Sequence, residues 1–186
     1  MKKVYIGGHP GHAKRQVRPL TLCALFAALL AVCSQIQIPL PMVPINLALF
    51  AAHLAGAVLG AKYGALSVTV YAALGLVGVP VFAGFGAGPA TLFGRTGGYV
   101  LGYILAAAIA GLWRERHGFA PLRLAPGLAL GTLACYALGT AWFMAVAHQG
   151  LAAALTYCVL PFLPGDAVKI ALACTLSGRL YAACNR

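Results

Sequence analysis

The chain has 186 residues, of which 62% are hydrophobic and only 8% charged, whereas a soluble domain carries about 25% charged residues to face water. So few charges cannot cover a water-facing surface, which excludes a soluble enzyme and leaves the bilayer as the solvent. The net charge of +11 does not indicate nucleic acid, because the basic residues sit in connectors without the interleaved aromatic and polar groups that a nucleic-acid face needs.

In chain order, Lys2, Lys3, Lys14, Arg15 and Arg18 crowd the start. They predict a basic cytoplasmic tail over 1–19, followed by a membrane domain over 20–186. Each crossing needs roughly 20 mainly apolar residues, and Leu20 to Ile38 is the first such stretch. It runs too long for a cleaved signal peptide. Pro39-Leu-Pro-Met-Val-Pro44 then stops any helix, since proline lacks the amide donor and turns its predecessor away from helix. A second span is expected from Ile45 to Ala61, a turn at Lys62-Tyr63, and a third span to Val79. Pro80 to Gly94 is glycine-rich and irregular. Gly97 to Trp113 makes the fourth span, a connector with Arg114, Arg116 and Arg123 follows, and Pro126 to Ala147 makes the fifth. Leu151 to Leu160 is a short apolar segment, Pro161-Phe-Leu-Pro-Gly165 breaks it, and Asp166 to Ala183 is the sixth span. The fold class is therefore all-α integral membrane, with six transmembrane helices.

Alternating from a cytoplasmic N-terminus places eleven of the thirteen Lys and Arg residues inside and only Arg95 and Lys169 outside. That bias puts both termini in the cytoplasm. Small residues recur at every fourth position: Gly56, Gly60 and Gly64; Gly98 and Gly102; Gly127 and Gly131; Ala24 and Ala28, with Ala27 and Ala31 beside them. In lipid such stripes let helix backbones approach closely. The glycines read as internal packing, while the alanines on the first helix could equally face another subunit. The six cysteines lie in or near apolar stretches without C-x-x-C spacing and read as small packing residues.

The chain holds two acids. Glu115, between Arg114 and Arg116, reads as a solvated counter-ion. Asp166 instead opens a membrane helix on the outer side, with Lys169 on the same face one turn later. An aspartate there is favoured by the free amides and the helix dipole, and Lys169 could simply neutralise it. Ions at membrane depth nevertheless cost about 2.5–3.5 kcal/mol each on insertion scales, and such charge marks ligand pathways. Arg95 either snorkels to headgroups or joins that site. Irregular backbone at membrane depth, as around Gly84, is tolerated only where it is buried or lines a cavity. With Phe82, Phe85, Tyr99 and Phe162 it could wall a mostly apolar pocket with a few polar contacts. No phosphate loop or dinucleotide fingerprint is present, His53 stands alone in the second span as a packed or hydrogen-bonded residue, and no nucleophile–base pair is evident.

Five segments carry a family resemblance: Ile38-Pro-Leu-Pro-Met-Val-Pro-Ile45; Gly60-Ala-Lys-Tyr-Gly-Ala-Leu-Ser67; Tyr71-Ala-Ala-Leu-Gly-Leu-Val-Gly-Val-Pro-Val-Phe-Ala-Gly84; Gly94-Arg-Thr-Gly-Gly-Tyr99; and Pro161-Phe-Leu-Pro-Gly-Asp-Ala-Val-Lys169. In this order, over about residues 20–183, they resemble the BioY family, the biotin-specific substrate-binding (S) components of energy-coupling-factor (ECF) transporters. The resemblance implies a six-helix S-component fold in the bacterial cytoplasmic membrane, with an outward-facing biotin pocket and a first loop that helps to cover it. It implies import of biotin with a transmembrane coupling (T) subunit and two ATP-binding cassette subunits, ATP being used only by those partners. Asp166 and Lys169 match the family's polar ligand contacts, and Ala24 and Ala28 match its small-residue surface for the coupling subunit. The family's motif admits proline where Arg95 stands. Neither a cofactor nor a metal is expected, a homo-oligomer is left open, and the alternative readings are a stand-alone carrier for a small vitamin and an intramembrane enzyme using Asp166.

Overall fold

A computed structural model describes residues 10–40 and 42–184, with side chains from residue 18 onward. Lys2, Lys3, Pro41 and Arg186 lie outside the described residues, as do the side chains of Lys14 and Arg15. Helix α1 spans Pro10–Gln35, so it reaches back through much of the stretch expected to be a tail. It ends before Ile38 because the chain there turns into a two-stranded hairpin, β1 (Gln37–Ile38) against β2 (Ile45–Asn46). Prolines 39 and 44 fall between the paired residues, where a missing amide breaks no ladder bond. The Leu47 N–H fastens the hairpin to α1 by donating to the carbonyls of Cys33 (3.2 Å) and Ile36 (3.3 Å).

Helix α2, Ala48–Leu76, is interrupted at Gly60, whose φ of 86° and ψ of 175° are non-helical. The chain folds back there. A Cβ built on Gly64 would lie 2.6 Å from the Gly56 Cα, although eight residues of straight helix span about 12 Å. The turn expected at Lys62-Tyr63 thus lies at Gly60, since the reversal needs a left-handed φ that glycine adopts without steric cost.

A 3-10 turn (Ala83–Phe85) and a short α3 (Gly88–Leu92) occupy the irregular segment. Helices α4 (Gly97–His117), α5 (Pro121–Ala147), α6 (Leu151–Cys158) and α7 (Leu163–Cys184) follow. Two start earlier than expected because their prolines, Pro121 and Pro164, sit in the first turn, where the missing N–H has no helical partner to lose. Among the described residues five helices are long and apolar enough to cross a membrane: Arg18–Gln35 within α1, α2, α4, α5 and α7.

The glycine stripes close the bundle. A Cβ on Gly56 would lie 2.1 Å from the Ala107 oxygen, one on Gly111 2.2 Å from the Ala61 nitrogen, and one on Gly98 2.2 Å from the Trp142 Cβ. Arg114 and Glu115 of α4 serve the reversal in α2. Arg114 Nε donates to the Ala57 carbonyl (2.8 Å) and Glu115 accepts the Ala61 N–H (3.0 Å). Glu115 is therefore more than a solvated counter-ion, because it satisfies an amide that the helix start leaves without a partner. His53 is fully buried and bonded to Thr132 Oγ1 at 2.9 Å. The cysteines are unpaired, and all but Cys184 are buried.

Candidate ligand-binding site

The break after α6 sets the site. Phe162 closes the turn by accepting the Asp166 N–H at 2.8 Å, which puts Asp166 in the first turn of α7, where the helix dipole favours an anion. Lys169, one turn on, lies on the same face, and its Nζ is 2.7 Å from Asp166 Oδ1. Both residues are buried, at 3% and 6% exposure. From α5, Tyr136 donates its hydroxyl to Asp166 Oδ2 at 2.5 Å. Each carboxylate oxygen thus holds one protein donor and keeps a further lone pair, and the ammonium has used one of its three protons.

These groups face a cavity of about 200 Å³ between α2, α4, α5 and α7. Six aromatic residues stand in its walls. Tyr99 and Phe162 stack with planes 3° apart and centroids at 6.4 Å. Phe82 meets Tyr71 edge-on at 5.6 Å, over Gly75, which has no side chain to obstruct the ring. Asn46 and Tyr103 add polar atoms on the side of the β-hairpin, and the Asn46 Oδ1 accepts the Ala48 N–H at 3.0 Å.

Of the eight residues expected at a ligand site, Asp166, Lys169, Tyr99, Phe82 and Phe162 line this cavity. Arg95, Gly84 and Phe85 do not. Arg95 is exposed, with its guanidinium 3.9 Å from Met42 Sδ, although its neighbour Thr96 lines the cavity. Phe85 is 71% exposed, because the 3-10 turn directs it outward while Phe82 goes in. Tyr136, Tyr103 and Asn46 escaped the sequence reading. Tyr103 was within reach, since it follows Tyr99 by one helical turn; Tyr136 lies in an otherwise apolar helix with no flanking signal.

On α1 the alanine stripe divides. Ala24 and Ala28 are exposed beside Leu25 and Val32, both 61% exposed, whereas Ala27 is buried in the core at 2% and Ala31 is half-buried against it. Of the four alanines only Ala24 and Ala28 stand open on this face, and Ala27 is closed off by the protein's own packing.

Fold and cavity define a multi-pass membrane protein with a cavity of small-molecule size between its helices. The sequence profile of the BioY family matches residues 9–186, and the chain belongs to that family. It is 40% identical over 165 residues to a probable biotin transporter BioY of Pyrococcus horikoshii, covering 89% of this chain and 97% of that one. It is 39% identical to the biotin transporter BioY of Thermotoga maritima, covering 88% and 96%. Among solved structures it is similar to the S-component for biotin from an ECF-type ABC transporter, at 28% identity and a TM-score of 0.83, over 90% of this chain and 92% of that one. The family is one of transport rather than catalysis.

Proposed function

We propose that this chain captures biotin on the outer side of the cytoplasmic membrane and delivers it inward as the S component of an ECF-type transporter. The observation that carries this reading is the buried Asp166–Lys169–Tyr136 cluster at one side of an aromatic cavity, in a chain of the BioY family. An acceptor and a donor stand 2.7 Å apart, which suits a ligand end that itself offers a donor beside an acceptor. The ureido ring of biotin does so, with its N–H directed to Asp166 and its oxygen to Lys169. The biotin carboxylate would meet Asp166 as a like charge, so the ureido head occupies this end and the apolar tail runs along the rings. Asp166, Lys169, Tyr99, Phe82 and Phe162 are the contacts, joined by Tyr136.

In this reading the Gly60 reversal divides α2 into two crossings and brings the total to six, with both termini in the cytoplasm as the Lys and Arg bias favours. Ala24 and Ala28 meet the transmembrane coupling subunit, which joins two ATP-binding cassette subunits.

Equilibrium binding of labelled biotin to the purified protein tests the reading. Saturable binding, displaced by unlabelled biotin and not by thiamin or riboflavin, is the expected result; a folded protein that ignores biotin would sink it. Tyr136→Phe removes one hydrogen bond to a carboxylate, worth about 1.5–3 kcal/mol. It should weaken biotin binding about tenfold, measured by the same titration, with expression and fold retained.

A further inference from the structure

We propose that Gln35 is a positioning residue: it latches the Phe82 wall of the cavity to the end of α1 and sets how long a bound ligand is held. The proposal rests on the biotin reading for its ligand, but the latch itself does not.

Gln35 is the last residue of α1, and its amide reaches across to the segment after α2. Its Nε2 donates to the carbonyls of Val81 (3.2 Å) and Phe82 (3.0 Å), and its Oε1 accepts the Phe85 N–H (3.0 Å). The neighbouring Ser34 hydroxyl donates to the same Val81 carbonyl at 2.5 Å. Residues 81–85 are thus held at both ends by one side chain. Phe82 and Ala83, inside that span, line the cavity.

The segment needs holding. Phe85 has a φ of 57°, a left-handed conformation that crowds a residue with a Cβ and persists only where surrounding contacts impose it. Its ring cannot supply those contacts, being 71% exposed. Within the segment, Phe82 N–H to the Gly86 oxygen (3.1 Å) and Gly86 N–H to the Ala83 oxygen (3.4 Å) close the turn on itself. Neither ties it to the rest of the molecule. Gln35 does, from the C-terminal end of the helix that exposes Ala24 and Ala28.

The test uses the full chain in nanodiscs, with two variants. Gln35→Leu loses every bond of the latch. Gln35→Glu has nearly the same shape, keeps the acceptor for Phe85 and loses the donor to Val81 and Phe82. Two quantities are followed: hydrogen exchange over residues 81–86 without ligand, and the rate of labelled-biotin release. Gln35→Leu should speed both at least tenfold, with exchange in α4 and α5 unchanged. Gln35→Glu should speed release while the Phe85 amide stays protected. Wild-type exchange over 81–86 in Gln35→Leu would overturn the latch. Faster exchange with unchanged release would overturn its positioning role. If Gln35→Leu fails to fold, Gln35→Glu decides by release: faster release of labelled biotin bears out the latch, and wild-type release overturns it. A wild-type protein that binds no biotin would defeat the biotin reading instead, and the exchange measurement would still decide whether Gln35 holds the segment.

Discussion

Asp166→Ala should lower biotin affinity at least a hundredfold, roughly 3 kcal/mol, and should also destabilise the empty protein. The first effect follows from losing the buried carboxylate that meets the ureido N–H in a charge-assisted hydrogen bond. The second follows from what is left behind. Lys169 is 6% exposed and its ammonium is paired only with Asp166 among the described residues; removing one member of a buried pair costs about 3–5 kcal/mol. The Tyr136 hydroxyl loses its acceptor at the same time. The two effects separate in the double variant. Asp166→Ala with Lys169→Met removes both charges and should regain most of the lost thermal stability while still failing to bind biotin. Melting in detergent read beside biotin titration checks this. A double variant no more stable than Asp166→Ala alone would refute the stranded-charge explanation.

Gly56→Leu should prevent the bundle from forming. A Cβ at this position already falls 2.1 Å from the Ala107 carbonyl oxygen, and that atom belongs to helical backbone, which cannot rotate away as a side chain could. A Cβ on Gly64, in the other leg of α2, would fall 2.6 Å from the Gly56 Cα, so Gly56 is crowded from both sides. Leucine would therefore push α2 and α4 apart, at a cost of about 3 kcal/mol or more. The expected result is aggregated or degraded protein on size exclusion. Leucine at Gly78, where nothing stands within 4 Å but φ is +105°, should strain only the local turn and leave a monodisperse bundle.

The pair at the start of α7 was legible in the sequence because Asp166 is the only acid outside the basic connector. An ion in so apolar a chain needs a reason, and its spacing to Lys169 fixes the shared face. Phe82, Tyr99 and Phe162 were legible through the broken, aromatic segments that carry them. Phe85 was not separable from Phe82, because the 3-10 turn that sends one ring in and the other out depends on tertiary bonds from Gln35. The reversal at Gly60 was placed slightly late, since charge at Lys62 is a visible signal and a positive φ is not. Tyr136 was hidden for the converse reason: one polar hydroxyl in an apolar helix gives no pattern until α7 lies against it.

The ion pair at the cavity also bears on voltage. A charge moved through a membrane field exchanges about 2.3 kcal/mol per 100 mV, but Asp166 and Lys169 lie 2.7 Å apart and cancel. The membrane potential then exerts no net force on this pair, whatever its depth. At this site, the charge that the field acts on is therefore that of the cargo.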